Sequence, residues 1–471
     1  MPTQGAGSQL PGLVQRMRGA GLTPTAIEHF VRLYQRYRGG DHGTVDWATV
    51  SPARLGDVVE HRALRGDTNE QRGRALLDAL VCIKLNGGLG TTMKLDRAKS
   101  LIAVHDGRSF LELSVDQVAR WRRAPGGRPA LLLLNSERTR ADSLPLIERL
   151  GARQPDGLPW DFLQPAYPRI DARSGGVAVL PPSEASWAPA GHGDAYLSVQ
   201  QGGLLDRLVA LGYRWAFVSN SDNLAATIEP SLLGYLDREG IEFALEVTDK
   251  TLADRKGGVI ARRQGRLALL ELAQVPAEHA AALDDPTAFP LFNTNSAWWN
   301  LPALQRRLAT GPLDLPLIVN HKQVAGADIV QLETALGAAL GCFERAVAVH
   351  VGRERFAPVK ATEDLLVVRS DAFVIDATDG GLRPNPARDS SFGPVVVQLD
   401  EAHYRGVDQL DERFAGTPSL VGCTRFEVEG DVRFGADIVL RGRVVLRNRS
   451  GRQQAVEAGA VLSDCTRDWP G

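Results

Sequence analysis

The sequence predicts an α/β protein with a helical lead-in, a core built on a largely parallel sheet, and a C-terminal β-helix. Three observations carry this. Short continuous apolar runs alternate with amphipathic stretches through the middle of the chain, the pattern of strands covered on both faces by crossover helices. Before residue 75 the apolar residues fall at helical spacing. After residue 420 they recur every six positions, the spacing of a coil that stacks one short strand per six residues.

In chain order, Ile27 to Tyr34 and Asn69 to Leu80 read as helices. Val81 to Leu85 reads as a strand, and Ile102 to Val104 leads into an Asp106-Gly107 turn. Phe110 to Trp121 reads as a helix and Ala130 to Leu134 as a strand buried on both faces. Leu204 to Leu211 is helical, followed by a buried strand over Arg214 to Ser219. At the C-terminal end, Phe426, Val432, Ile438 and Val444 form one six-residue series, and Val428, Phe434, Leu440 and Leu446 a second. Val456 and Leu462 continue the spacing, with Gly430, Gly435 and Gly442 at corners. A small antiparallel sandwich also fits alternation at period two; the regular period of six favours the β-helix.

With 471 residues the chain is long for a single core. Its 54 basic and 56 acidic side chains nearly balance, so nothing in the charge argues for nucleic acid or a membrane surface. No run approaches the ~20 apolar residues of a membrane helix, and the N-terminus lacks the pattern of a secretory signal. The four cysteines are scattered and form no CxxC pair, which disfavours a zinc site or disulfide framework and fits a reducing cytosol. Only seven of the 54 basic residues are lysine: Lys84, Lys94, Lys99, Lys250, Lys256, Lys322 and Lys360. Where arginine is the default cation, a compact ammonium marks a position that needs a point charge rather than a planar fork.

Four clusters carry candidate chemistry. Lys84-Leu85-Asn86-Gly87-Gly88-Leu89-Gly90-Thr91-Thr92 follows a predicted strand. Its glycines let backbone pass close to a ligand and offer free amides to phosphate or base oxygens. It is neither a Walker A loop nor GxGxxG, and taken alone it also reads as a tight turn. Ser219-Asn220-Ser221-Asp222-Asn223 ends another buried strand, where ligands of open α/β sheets sit. A single carboxylate there suits Mg²⁺ carried by phosphates, or caps the next helix. Gly191-His192-Gly193-Asp194 places an imidazole between glycines, and Asn293-Thr294-Asn295 offers amides suited to sugar hydroxyls or to a turn. No Ser-His-Asp arrangement or reactive cysteine setting presents itself. One acidic metal site, several lysines and amide-rich loops suit phosphoryl or nucleotidyl transfer, where a protein positions groups and neutralises charge.

The string KLNGGLGTTMKLDRAKS followed by FLELSVDQV resembles the nucleotide-binding segment of eukaryotic-type UTP–glucose-1-phosphate uridylyltransferases. The resemblance runs on through GHGDAYLS, FVSNSDNLAATIE, EVTDKTLADRKGGVI, ELAQVP, LFNTNSAWW, IVNHK, VQLETALGAA and RFAPVKATEDLLVV. It implies a Rossmann-like nucleotidyltransferase core with a C-terminal left-handed β-helix, and a division into residues 1–75, 76–375 and 376–471. It implies that Leu85, Asn86, Gly87 and Gly88 hold uracil and ribose, with Gln164 and Gly191 reading the base. Lys99 and Lys360 would meet the phosphates as the catalytic lysines. Asp222 would carry Mg²⁺, and His192 would lie by glucose 1-phosphate. Asn220, Ser221, Gly258, Glu271, Asn293 and Asn295 would line the sugar side. Lys250 and Lys322 are further candidate phosphate lysines.

This sequence departs from the family form GTSMG-x-x-GPKS, with Lys94 for a glycine and Ala98 for a proline, and His321 replaces a proline before Lys322. The expected reaction joins UTP and glucose 1-phosphate into UDP-glucose and pyrophosphate. The nearest rival, a UDP-N-acetylhexosamine pyrophosphorylase, would carry arginine where Thr92 stands. A non-catalytic nucleotide-sugar-binding protein is disfavoured by intact Asp222, Lys99 and Lys360. An acyltransferase acting on the β-helix is disfavoured by its few coils. Asp464 to Gly471 end in charge and Pro470 rather than a further apolar strand, so the expected assembly is a monomer or homodimer.

Overall fold

Helices α1 (Leu10–Gly19) and α2 (Pro24–Arg38) open the chain in a computed structural model that describes residues 9–123, 127–251, 254 and 257–471. Each has a proline in its first turn, where the missing amide costs no hydrogen bond. Thr23 caps α2 by accepting from the Ala26 amide at 3.3 Å. Leu13, Met17, Phe30, Leu33 and Tyr34 are at most 1% exposed and pack on Tyr167, Ile170, Val330 and Leu332. The lead-in is not wholly helical. Val50–Pro52 pairs antiparallel with residues 261–263, and Val59–Glu60 pairs parallel with residues 349–350. The helix expected over 69–80 spans Asp67–Ala75, with a 3-10 turn before the strand opens at Leu80.

The core strands are β1 (Leu80–Asn86), β2 (Ala130–Asn135), β3 (Asp161–Leu163), β4 (Ala166–Pro168), β5 (Trp215–Asn220), β6 (Phe243–Asp249), β7 (Leu291–Asn300), β8 (Ile318–Val324), β9 (Ala327–Glu333) and β10 (Ala346–His350). In the large sheet the spatial order is Val59–Glu60, β10, β6, β7, β5, β1, β2, β3. β1, β2, β3 and β5 run parallel, as do β6 and β10. β7 lies antiparallel between β5 and β6, so the sheet is mixed. Apolar runs report burial, not direction, and the antiparallel insertion was not readable from them. Every residue of β2 is buried, as a strand covered on both faces requires. Helix α3 (Phe110–Arg123) turns Phe110, Leu111, Leu113, Val118 and Trp121 inward. Outside this sheet, β9 lies between β8 and Ile170–Asp171 and pairs antiparallel with both, and β4 pairs with residues 187–189.

The C-terminal part contains β11 (Val396–Leu399), β12 (Cys423–Glu429), β13 (Val432–Phe434), β14 (Val439–Asn448), β15 (Gln454–Val456) and β16 (Val461–Trp469). All their pairings are parallel: β11 with β12, β12 with β14, β14 with β16, and β13 with β15. Val428 stacks on Leu446, Phe434 on Val456 and Leu440 on Leu462. Parallel pairing of all these strands excludes the antiparallel sandwich. Phe426, Val428, Val432, Phe434, Ile438, Leu440, Val444, Leu446 and Val456 are all at most 3% exposed. Their cluster continues without a break into Met93, Leu95, Ile102, Phe110, Val359, Leu365 and Tyr404. These C-terminal strands and the loop after β1 therefore share one apolar core.

Candidate active site

The carboxyl ends of β1 and β5 lie side by side, with Lys84 opposite Ser219 and Leu85 opposite Asn220. Two polar loops therefore leave the sheet at adjacent points, the place where open α/β sheets hold ligands. The first loop folds back on itself. Leu89 bridges Ala98, the Lys99 amide donates to the Gly88 carbonyl at 3.3 Å, and the Ala98 amide donates to Asp142 Oδ2 at 2.7 Å. The second loop is tied to the first strand by the Ser221 amide, which donates to the Leu85 carbonyl at 3.2 Å. Together these ties deliver Lys99 Nζ to 2.5 Å from Asp222 Oδ2, both side chains being less than one-fifth exposed.

Gln164 lies against Gly87 so closely that a Cβ there would fall 1.9 Å from its Nε2, whereas a Cβ on Gly88 would meet nothing within 4 Å. Asn86 points inward, donating to Asn135 Oδ1 at 2.8 Å and Ser143 Oγ at 2.9 Å. Lys94 sits at φ 56°, so the position where the family carries glycine keeps its left-handed backbone, and its Nζ donates to Gln409 Oε1 at 2.9 Å.

The sugar-side candidates also assemble. Asn295 Nδ2 donates to Asn220 Oδ1 at 2.8 Å, and its amide donates to Asn293 Oδ1 at 2.9 Å. Asn295 Oδ1 is buried without a hydrogen-bond partner. A Cβ on Gly258 would fall 2.8 Å from Glu271 Oε1, so the glycine keeps the backbone against that carboxyl. Burial pushes Glu271 up to about 7, against the pull of Lys360. Lys360 Nζ lies 5.7 Å from the Phe292 ring centre. The Lys360 amide donates to Asp364 Oδ2 at 2.7 Å, at the start of α5 (Thr362–Arg369).

His192 sits in a turn between Gly191, at φ 85°, and Gly193. Its Nδ1 accepts from the Leu336 amide at 2.8 Å. That fixes the neutral tautomer with the proton on Nε2, and burial lowers the pKa to about 4. Two other candidates have structural partners. Lys250 Nζ donates to the Leu283 carbonyl, and the exposed Lys322 donates to Gln331 Oε1 at 3.2 Å. Lys84 is buried, donates to Ser219 Oγ at 2.9 Å, and burial lowers its pKa to about 8. Lys256 lies outside the described residues.

Sequence reasoning missed Asn223 and Glu333. Asn223, wholly buried, accepts from the Ala357 amide at 3.0 Å and donates to the Arg355 carbonyl at 3.2 Å, stapling the Asp222 loop to the segment that carries Lys360. Glu333 lies against Gly191, and burial raises its pKa although Lys322 and Arg169 oppose this. Both stand inside motifs that were legible, SNSDN and QLETA. The missing signal was a partner far away in sequence.

The family description UTP–glucose-1-phosphate uridylyltransferase matches residues 27–441. The uridylyltransferase of Hordeum vulgare is 38% identical over 467 residues, covering 98% of this chain and 97% of its own. That of Solanum tuberosum is 38% identical over 440 residues, covering 92% and 91%. Among solved structures, UDP-glucose pyrophosphorylase from Leishmania major superposes with a TM-score of 0.88 at 34% identity, covering 98% of this chain and 99% of that one. A second structure, from Trypanosoma brucei, gives a TM-score of 0.88 at 32% identity over the same shares. With its sheet, its paired loops and its full length matched in this way, the chain belongs to the UTP–glucose-1-phosphate uridylyltransferase family.

Proposed function

We propose that this chain transfers the uridylyl group of UTP to glucose 1-phosphate, giving UDP-glucose and pyrophosphate. The observation that carries the reading is the meeting of three groups at the ends of β1 and β5. These are a glycine backbone capped by one amide side chain, a lysine–carboxylate pair, and an asparagine network.

In this reading Gln164 and the backbone at Gly87, Gly88 and Gly191 enclose uracil, beside Leu85 and Asn86. Lys99 and Lys360 approach the triphosphate from two sides. Asn220, Ser221, Asn293, Asn295, Gly258 and Glu271 take the sugar. His192 offers its Nε2–H to the phosphate of glucose 1-phosphate; as a neutral donor it does not quench the nucleophile with a full charge. An oxygen of that phosphate attacks the α-phosphorus of UTP in line, the bond to the bridging oxygen breaks, and pyrophosphate leaves. No side chain needs to bond covalently to substrate. The fixed positive charges are in place before reaction, so little reorganisation accompanies the shift of negative charge to the leaving group.

The residues fit Mg²⁺. Asp222 Oδ1 is buried without a hydrogen-bond partner, and no group of three or more His, Cys, Asp or Glu able to hold a metal occurs among the described residues. A lone hard carboxylate suits an ion held chiefly by phosphate oxygens and water. When bound there, Mg²⁺ would neutralise phosphate charge.

The stacked parallel strands after residue 395 favour a β-helix, left-handed as the family resemblance implies, with residues 1–75, 76–375 and 376–471 as lead-in, catalytic and β-helix parts. Four free cysteines fit a reducing cytosol, and no described helix is long and apolar enough to cross a membrane. Exposed Asp464, Arg467 and Asp468 on β16 favour a monomer or homodimer over end-to-end stacking. Pyrophosphate release from UTP across a panel of sugar 1-phosphates tests the activity. Glucose 1-phosphate should be the preferred acceptor; preference for N-acetylglucosamine 1-phosphate, or no release with any sugar, would overturn the reading.

A further inference from the structure

Behind the His192 turn lies a buried carboxylate with no cation in hydrogen-bond reach among the described residues. Asp194 is 2% exposed. Its Oδ1 accepts from the Tyr167 hydroxyl at 3.0 Å and its Oδ2 from the Ser198 hydroxyl, on α4 (Ala195–Gln200), also at 3.0 Å. His29 Nε2, on α2, stands 3.8 Å from Oδ1, beyond hydrogen-bond length. Arg32 donates to His29 Nδ1 at 2.7 Å, and burial lowers the His29 pKa to about 4, so this ring is neutral. Holding a carboxylate between two hydroxyls and a neutral imidazole is unfavourable for its charge, and burial pushes it up to about 6 against those hydrogen bonds. In these surroundings a carboxylate can do one thing a small apolar residue could not: accept hydrogen bonds that hold another segment in place.

Its position says what. The Asp194 amide closes the turn on the Gly191 carbonyl at 3.2 Å, and the Gly193 amide donates to the Thr334 carbonyl at 2.9 Å. A Cβ on Gly193 would fall 2.3 Å from Thr334 Oγ1, so the turn is already pressed against the end of β9. One side of the turn is fixed by that contact and by the Leu336–His192 hydrogen bond. On the other side, residues 187–189 pair with β4 ahead of the turn, and Asp194 adds a side-chain tie at its end through Tyr167. Tyr167 lies on β4, three residues after Gln164, and the Ala190 amide donates to the Pro165 carbonyl at 3.2 Å. Its ring packs on Phe30 of α2, with centroids 5.2 Å apart.

We propose that Asp194 is a positioning residue that sets the His192 turn through its hydrogen bond with Tyr167, with helix α2 buttressing the tyrosine. This rests on the reading of His192 as a ligand of glucose 1-phosphate and extends it. The phenol–carboxylate contact adds a side-chain link to the backbone pairing that already joins the Gln164 segment to the phosphate-side turn, and the N-terminal helices belong to the support of the site.

Tyr167→Phe tests this, because it keeps the ring against Phe30 and removes only the donor. A hydrogen bond to a buried carboxylate is worth enough that kcat/KM for glucose 1-phosphate should fall about tenfold. KM for UTP should stay within about twofold. In a His192→Ala background the same change should cost almost nothing, because its effect runs through His192. Ser198→Ala, which removes the other donor, should show the same pattern more weakly. Equal losses in both backgrounds, or a fall shared by both substrates, would make Asp194 a purely structural group and overturn the proposal. A wild-type protein without turnover would instead overturn the functional reading, and this inference with it.

Discussion

Gly87→Ala probes base recognition at the point where the structure is tightest. Gly87 is not at positive φ, so its backbone accepts an alanine. The new Cβ would stand 1.9 Å from Gln164 Nε2 and 2.6 Å from its Cδ. Ordinary contact needs about 3.5–4 Å, so the amide must swing away by roughly 1.5–2 Å. That is more than a hydrogen bond tolerates. The displaced atoms end a flexible side chain, so folding should survive, with Tm lowered by no more than about 3 °C. Recognition should not survive. A polar edge left unpaired costs ~1–3 kcal/mol, which corresponds to a fall of about 5- to 150-fold in kcat/KM for UTP. Steady-state pyrophosphate release with varied UTP measures it. Gln164→Ala alone should lose a similar factor, and adding Gly87→Ala to it should cost little because the collision is gone. Normal UTP kinetics in Gly87→Ala, or an undiminished loss in the Gln164→Ala background, would refute the placement of the base between these residues.

Lys99→Ala and Lys360→Ala should each lower kcat by about 10²–10³-fold, and arginine should rescue neither because its fork is larger and differently shaped; near-normal rates in both arginine variants would refute a point-charge role. Asp222→Asn should stay folded and lose most activity at low Mg²⁺, whereas unchanged activity across a Mg²⁺ titration would return Asp222 to a structural part. The Glu271 carboxyl stays protonated in the fold up to about pH 7 but ionises near 4.5 when unfolded. Its contribution to stability is therefore full below pH 4.5 and is lost as pH rises through 7. Glu271→Gln cannot lose it, so the Tm of the variant relative to wild type should climb between pH 4.5 and 7, and a flat or falling difference would contradict the buried acid. Asn223→Ala leaves the Ala357 amide and Arg355 carbonyl unpaired and should lower both Tm and kcat; a loss of Tm with full kcat would make the staple merely structural.

Much of the fold was legible because burial writes itself into periodicity. The two six-residue series after Phe426 proved to be stacked interior positions, and Ala130 to Leu134 proved to be buried strand. Strand direction was not legible. β7 carries apolar residues as its neighbours do, yet runs against them. The site was legible where a loop's own chemistry declares itself, as at Gly87, Asp222 and His192. It was not legible where a side chain works by reaching a distant segment. Nothing local to Asn223 points to Ala357, and nothing near Asp194 points to Tyr167. The same limit explains Lys250 and Lys322. Their scarcity as lysines singled them out, but their partners, the Leu283 carbonyl and Gln331, came only from the folded chain.

The single apolar cluster running from Met93 and Leu95 into Phe426, Phe434 and Val456 has a consequence for the order of assembly. During synthesis the segment that holds Lys99 emerges early, but part of the apolar wall it shares is made of the last strands. Until those strands arrive, the cluster that holds Met93 and Leu95 is only partly built, with Ile102, Phe110 and Leu224 in place but not its C-terminal half. A nascent chain that has left the ribosome as far as β10 thus has its sheet and the backbone ties of the Lys99 loop, but not the full apolar wall behind it. It carries an exposed apolar surface of the kind chaperones hold. Premature termination within those strands would strip apolar support from a loop far upstream, leaving every residue of that loop intact.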